Sequence, residues 1–149
     1  MSLLPRSARL ALMATLDVSL HARGRPVSSK ALAARHDLPP RRLESLLQAL
    51  VRAGILKSLR GPAGGYELAR ERRRLCLGDI VRVALRAEAD DAVPRGGPRL
   101  LEAVLEPVVS QVEAAALARL DEMTLDDLHA RALASGFGEK EDAGGDFEI

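Results

Sequence analysis

The sequence predicts a mainly α-helical protein with one small β-hairpin and a long helix near its C-terminus. Three observations carry that reading. Aromatic residues make up 2% of the 149 residues and apolar residues 47%. Leu, Val and Ala must therefore fill the core, which suits packed helices better than a β-sandwich. The stretch from Leu38 to Leu68 holds an amphipathic helical pattern, then two short apolar runs around a Gly-rich loop. Residues 100–122 repeat apolar positions at helical spacing for about six turns.

Taken in order, Pro5 opens a first helix that runs to about Ala22, because proline suits a first turn where its missing N–H is not needed. Ala8, Leu12, Leu16 and Leu20 form its stripe, flanked by Ala11, Thr15 and Ser19. Gly24, Arg25 and Pro26 turn the chain, and Ser28 caps a second short helix ending at His36. Pro40 starts a third helix. Its Leu43, Leu46, Leu47, Leu50 and Val51 occupy the i, i+3, i+4, i+7, i+8 positions of a core-facing stripe. Short helices, a tight turn and a longer helix make a helix-turn-helix pattern. Gly54 stops the third helix in the left-handed conformation. Residues 55–59 and 66–69 are the strands, and Arg60 to Gly65 the loop, thin enough at its tip for backbone to approach a partner.

Arg70 to Arg74 reads as a solvated connector, and Leu75, Cys76 and Leu77 as a short extended piece with a buried thiol. A fourth helix runs from Ile80 to about Ala87. Residues 88–99 carry two Pro, two Gly and no periodicity, which makes them a linker. Pro107 should kink or split the long fifth helix near Glu106. Thr124 and Asp127 form a capping box for a last short helix ending near Ser135 and Gly136. The acidic, Gly-rich residues 136–149 are expected to be disordered.

Net charge is +1, but its distribution is uneven. Residues 1–86 hold 17 Lys/Arg against 6 Asp/Glu, a net of +11, and residues 87–149 hold 5 against 15, a net of −10. A basic module with an acidic remainder points to an anionic partner, nucleic acid first. No apolar run approaches the roughly 18 residues of a membrane span, and charges interrupt the N-terminal apolar run. No membrane partner and a cytoplasmic location are therefore expected. A single Cys excludes an internal disulfide and a zinc site built on several thiolates. Three scattered His, no phosphate-binding loop and no dinucleotide motif argue against an enzyme.

The outward side of the third helix carries Arg41, Glu44, Gln48 and Arg52 one turn apart, with Arg42 and Ser45 flanking. Such a face is suited to reading base edges. Pro39 and Pro40 supply no capping hydroxyl, so the first-turn N–H groups stay open to water or a phosphate oxygen. Arg60 beside Gly61 on a thin loop is suited to a minor groove. The stripe through Leu101, Val104, Leu105, Val108, Val112 and Ala115 has no obvious partner in so small a chain. It predicts a homodimer.

Several motifs together resemble one family. They are Leu16, Asp17 and Val18; Pro26, Val27 and Ser28; Leu43 and Glu44 with Leu46 and Leu47; and, most specifically, the run Arg60 to Ala69 (RGPAGGYELA) followed by Leu77 to Val81 (LGDIV). Across residues 3–130 the chain resembles the winged-helix regulators typified by IscR, NsrR and CymR, the Rrf-two type. The resemblance implies a winged helix-turn-helix DNA-binding domain over 1–87, a linker at 88–99, a dimerisation helix with a short terminal helix over 100–135, and the tail. It implies a homodimeric, sequence-specific transcriptional regulator, usually a repressor, bound to double-stranded DNA. Major-groove roles fall on Pro40, Arg41, Arg42, Glu44, Ser45 and Gln48, and minor-groove roles on Arg60 and Gly61; Ser28 and Lys30 complete the expected DNA-contacting set. Many relatives sense through an iron–sulfur cluster held by three Cys after the fourth helix. Here that segment contains no Cys, and His36 has no Cys partner, so a cluster-free member with no cofactor and no metal is expected. A small molecule or a protein remains open as its effector. The competing expectation is a winged-helix dimer that serves mainly as a protein-interaction module.

Overall fold

The computed structural model describes residues 3–91 and 97–138. Its elements are α1 (Arg6–His21), α2 (Ser29–His36), α3 (Pro40–Arg52), β1 (Leu56–Leu59), β2 (Gly65–Leu68), a 3-10 turn (Arg72–Arg74), α4 (Leu77–Asp91), a π-helical turn (Leu101–Leu105), α5 (Glu106–Asp121) and α6 (Leu125–Ala134). Among the described residues the fold is mainly helical with one antiparallel hairpin, as the sequence predicts.

α1 is the central helix. It packs chiefly on α4 and also meets α3, α6 and β2. Its buried surface is therefore wider than one stripe, and its centre differs from the expected one. Ala8, Ala11, Ala14, Thr15 and Val18 are fully buried, while Leu12 and Leu16 are half-buried. The small side chains take the positions where neighbouring helices come closest, because larger ones would hold them apart. α3 buries Leu43, Leu46, Leu47 and Leu50 as its spacing predicts.

The hairpin pairs Leu56 with Leu68, Lys57 with Glu67, Ser58 with Tyr66 and Leu59 with Gly65. A Cβ at Gly64 would overlap the Leu59 carbonyl, and one at Gly65 would lie 2.5 Å from the Val27 carbonyl oxygen. Val27 pairs with Tyr66 as an isolated bridge, with N–H···O distances of 2.9 and 2.8 Å. The α1–α2 connection is thereby laced to the hairpin.

A second isolated bridge joins Cys76 to Thr124. The Leu77 N–H donates to the Met123 carbonyl and the Leu125 N–H to the Leu75 carbonyl, both at 2.8 Å. This pairing anchors α6 to the start of α4. It also corrects the reading of Leu77, which opens α4 instead of extending. α4 continues to Asp91, so residues 88–91 are helical. Ala and Glu are strong helix formers, and no breaker precedes Pro94. Of the expected linker, residues 92–96 lie outside the described residues, as do 139–149 of the expected tail.

Pro107 changes the type of the long helix next to the expected site near Glu106, while the backbone stays helical through Leu105 and Glu106. Its ring conflicts with the carbonyl four residues back, that of Ala103. The chain answers with a π turn over Leu101–Leu105 before α5 begins at Glu106. Leu117 and Leu120 pack on the core, whereas Leu100, Leu101, Val104, Leu105, Val108, Val109 and Val112 are exposed, and so is Ala115. No helix among the described residues is long and apolar enough to cross a membrane.

Candidate nucleic-acid interface

The geometry of the site starts at Asp17. Its side chain is 2% exposed, on the face of α1 turned to α2. Arg35 Nη1 donates to both its oxygens at 3.1 and 3.3 Å, and His36 Nε2 lies 2.6 Å from Oδ2. His21 Nε2 stands 3.9 Å away. Three cationic or protonatable groups thus satisfy one buried carboxylate, as a buried charge requires. The network fixes the last turn of α2 on α1. Asp37 then takes a left-handed conformation, φ 52°, which short polar side chains tolerate. Three residues separate α2 from α3, so the position of α2 sets that of α3.

α3 enters without a side-chain cap, with Pro40 in its first turn. The backbone N–H groups of Arg41 and Arg42 have no helical partner there and point beyond the helix end. Arg41, Arg42, Glu44, Ser45, Gln48 and Arg52 are all exposed. Ser45 Oγ donates to the Arg41 carbonyl at 3.3 Å. Gln48 Nε2 reaches Tyr66 Oη at 3.4 Å, across to β2. Burial first, then the neighbouring Glu44 carboxylate, push the Tyr66 hydroxyl above its ordinary pKa, while the Gln48 hydrogen bond partly opposes them. Tyr66 therefore stays neutral and serves as a packed support beside the exposed side of α3.

Arg60 and Gly61 are exposed at the start of the loop. Gly61 has φ +110° and open space around its missing Cβ, and its carbonyl accepts from the Gly64 N–H at 2.9 Å to close the tip. The Lys57–Glu67 pair, 3.4 Å, crosses the hairpin behind it. Ser28 Oγ accepts from the Ala31 N–H at 3.0 Å as the cap of α2, and Lys30 is exposed beside it. Among the described residues, Lys30, Arg41, Arg42, Arg52 and Arg60 make no ion pair. The fold thus brings the expected residues onto α3, the hairpin tip and the start of α2, with their cationic ends unneutralised.

The sequence reading missed the Asp17 network. A charged residue within an apolar stripe was its one signal, and the partners depend on how α1 crosses α2. It also missed His129, which is 6% exposed. Its Nε2 lies 2.6 Å from Arg72 Nη1 and its Nδ1 3.1 Å from Ser19 Oγ. Arginine only donates, so Nε2 accepts and the ring is neutral. Burial and then the Arg72 charge hold its pKa below the ordinary histidine value.

Cys76 is half-buried, not fully buried as expected. Its Sγ lies 3.7 Å from Asp121 Oδ1, and Asp79 completes a group of three possible metal ligands. Arg82 already holds Asp121 through two hydrogen bonds of 2.6 and 2.7 Å. Burial pushes the thiol pKa up. One protonated thiol beside a carboxylate paired to arginine does not fit an iron–sulfur cluster, which wants several thiolates. The tight approach of Asp121 also explains Gly78, since a Cβ there would run into that carboxylate.

Comparison with known proteins places this geometry. Residues 4–131 match the family described as Rrf2, iron-dependent transcriptional regulator. The protein rrf2 of Nitratidesulfovibrio vulgaris is 32% identical over 117 residues, covering 76% of this chain and 77% of the relative. The regulator IscR of Vibrio campbellii is 35% identical over 78 residues, 52% of this chain; the chain thus spans about half, 46%, of that relative's length. Among solved structures, IscR of T. potens superposes with a TM-score of 0.67 at 33% identity, covering 87% of each chain. CymR, the global cysteine regulator of B. subtilis, gives 0.63 at 27% identity, covering 88% of this chain and 98% of that one. These relatives are regulators, not enzymes. The chain belongs to the Rrf2 family of transcriptional regulators.

Proposed function

We propose that the chain is a homodimeric, sequence-specific DNA-binding repressor that works without an iron–sulfur cluster. The observation that carries the reading is the unneutralised cationic face shared by α3 and the hairpin, held in one frame by the Gln48–Tyr66 contact. α3 lies in the major groove, where Arg41 or Arg42 reads guanine or holds phosphate, and Gln48 pairs with adenine. Glu44 accepts from cytosine N4 or repels wrong sites. Arg60 enters the minor groove, with Gly61 keeping the tip thin. Ser28 and Lys30 meet the backbone. Two copies pair through Leu101, Val104, Leu105, Val108, Val112 and Ala115, side chains that a lone chain leaves in water. The poor fit of Cys76 and its neighbours to a cluster supports signalling by other means.

A gel-shift titration against random duplex DNA at low salt tests the reading. Wild type should shift the duplex at micromolar dimer or below. Arg60→Ala should weaken binding by about 1–3 kcal/mol, most on duplexes with a narrow minor groove. A dissociation constant unchanged from wild type on every sequence would remove the hairpin role. Glu44, a carboxylate on the reading face, favours a second reading as a protein-interaction module, and absence of any shift would select it.

A further inference from the structure

A cavity of about 510 Å³ lies between α1, α2 and α6, apart from both the DNA-reading face and the exposed stripe of α5. Its size falls in the range of small-molecule sites, roughly 300–1,000 Å³. Leu16, Leu20, Leu128 and Phe137 line it, with Arg35 and Arg131 in its wall. Asp17, His21 and His36 also border it, but the Asp17 carboxylate is committed to Arg35 and His36. Arg131 makes no ion pair and no side-chain hydrogen bond among the described residues. The cavity therefore offers an apolar wall, one carboxylate already matched, and one exposed guanidinium that feels the Asp127 carboxylate one turn away on α6 but forms no ion pair with it. A guanidinium beside an apolar wall is the recognition chemistry of a small organic acid, whose carboxylate pairs with arginine while its hydrocarbon part leaves water.

We propose that this cavity binds a small carboxylate with an apolar tail, and that this ligand is the effector of the protein. The regulatory half of the proposal rests on the DNA-binding reading above. Arg35 supplies the link. It borders the cavity and holds Asp17, and its helix is separated from α3 by three residues. A bound carboxylate competes with Asp17 for Arg35 and so acts on the helix that positions the reading face.

Octanoate titrated calorimetrically into the full chain is the test, with octanol as the uncharged control. One octanoate should bind per chain, and octanol should bind about tenfold more weakly. Arg131→Gln should weaken octanoate by about tenfold, with circular dichroism and Tm unchanged, and Arg131→Lys should retain most of the binding. No saturable binding in the millimolar range, equal affinity for octanol, or full binding by Arg131→Gln would each overturn the proposal. In the sequence, residues 139–149 come soon after the lining residue Phe137 and carry Glu139, Glu141, Asp142, Asp146 and Glu148. Octanoate binding that appears only when these five are replaced by their amides would assign the cavity to the chain's own tail and overturn it as well. Octanoate binding without any DNA shift would keep the site and remove the DNA-binding reading; a DNA shift without octanoate binding would do the reverse.

Discussion

Asp17 shows how much of the placement of α2 and α3 depends on one buried charge. Its carboxylate is desolvated, and Arg35 and His36 offset that cost. Asp17→Asn keeps the volume and removes the charge. Because Arg35 and His36 remain partly in water, the expected loss is about 1–3 kcal/mol, below that of a fully buried pair. It should be read as a lower urea midpoint at unchanged slope. His129 gives a pH dependence of known sign. The unfolded chain takes up its proton at the ordinary value, about 6.5. The folded chain resists it, because burial and the Arg72 charge oppose a second cation. Stability from this group is full above that pH and falls as pH drops below it. Thermal melts should show that fall between pH 7 and 5 in wild type, and a flatter profile in His129→Gln. Neither group could be placed by sequence alone. The outward residues of α3 followed from helical spacing, whereas Asp17 and His129 find partners 18 and 57 residues away.

α5 is one helix with two kinds of surface. Its C-terminal half is held by Leu117 and Leu120 in the core, and its N-terminal half, with the π turn, presents Leu and Val to solvent. Full burial of each such side chain contributes about 1.5–3 kcal/mol, enough in sum to drive pairing. Wild type should sediment as a dimer at micromolar concentration. Leu105→Asp should sediment as a monomer with an unchanged circular dichroism spectrum, because Leu105 is 49% exposed within one chain. A dimer that survives this change would place the interface elsewhere. Pro107 made the break in this helix legible in the sequence. The form of the break was not, because a helix can answer a proline by kinking, by splitting or with a π turn, and no residue pattern selects among them. The Val27–Tyr66 and Cys76–Thr124 bridges were equally invisible, since a one-residue pairing has no alternation to read.

Over the whole chain, the charge split is the feature most readily seen in sequence and the one with the widest consequence. If the basic half holds phosphates, log affinity should fall linearly with log salt. Lys30→Gln should then make the slope shallower by about one for each phosphate the lysine had neutralised, on every sequence alike. The hairpin motif and helix spacing gave the architecture, but the crossing of α1, α2 and α6 that shapes the cavity comes only from packing. Tyr66 bonds to Val27 on one side and to Gln48 on the other. α3 and the hairpin therefore form a caliper with a fixed opening. If the proposed DNA-binding reading holds, a duplex clasped by it must supply the flexing itself. On that reading, operators with the same contacted bases should differ in strength according to how readily the steps between the two grooves bend, and the stiffness of this protein would become a means of choosing among DNA sequences it never touches.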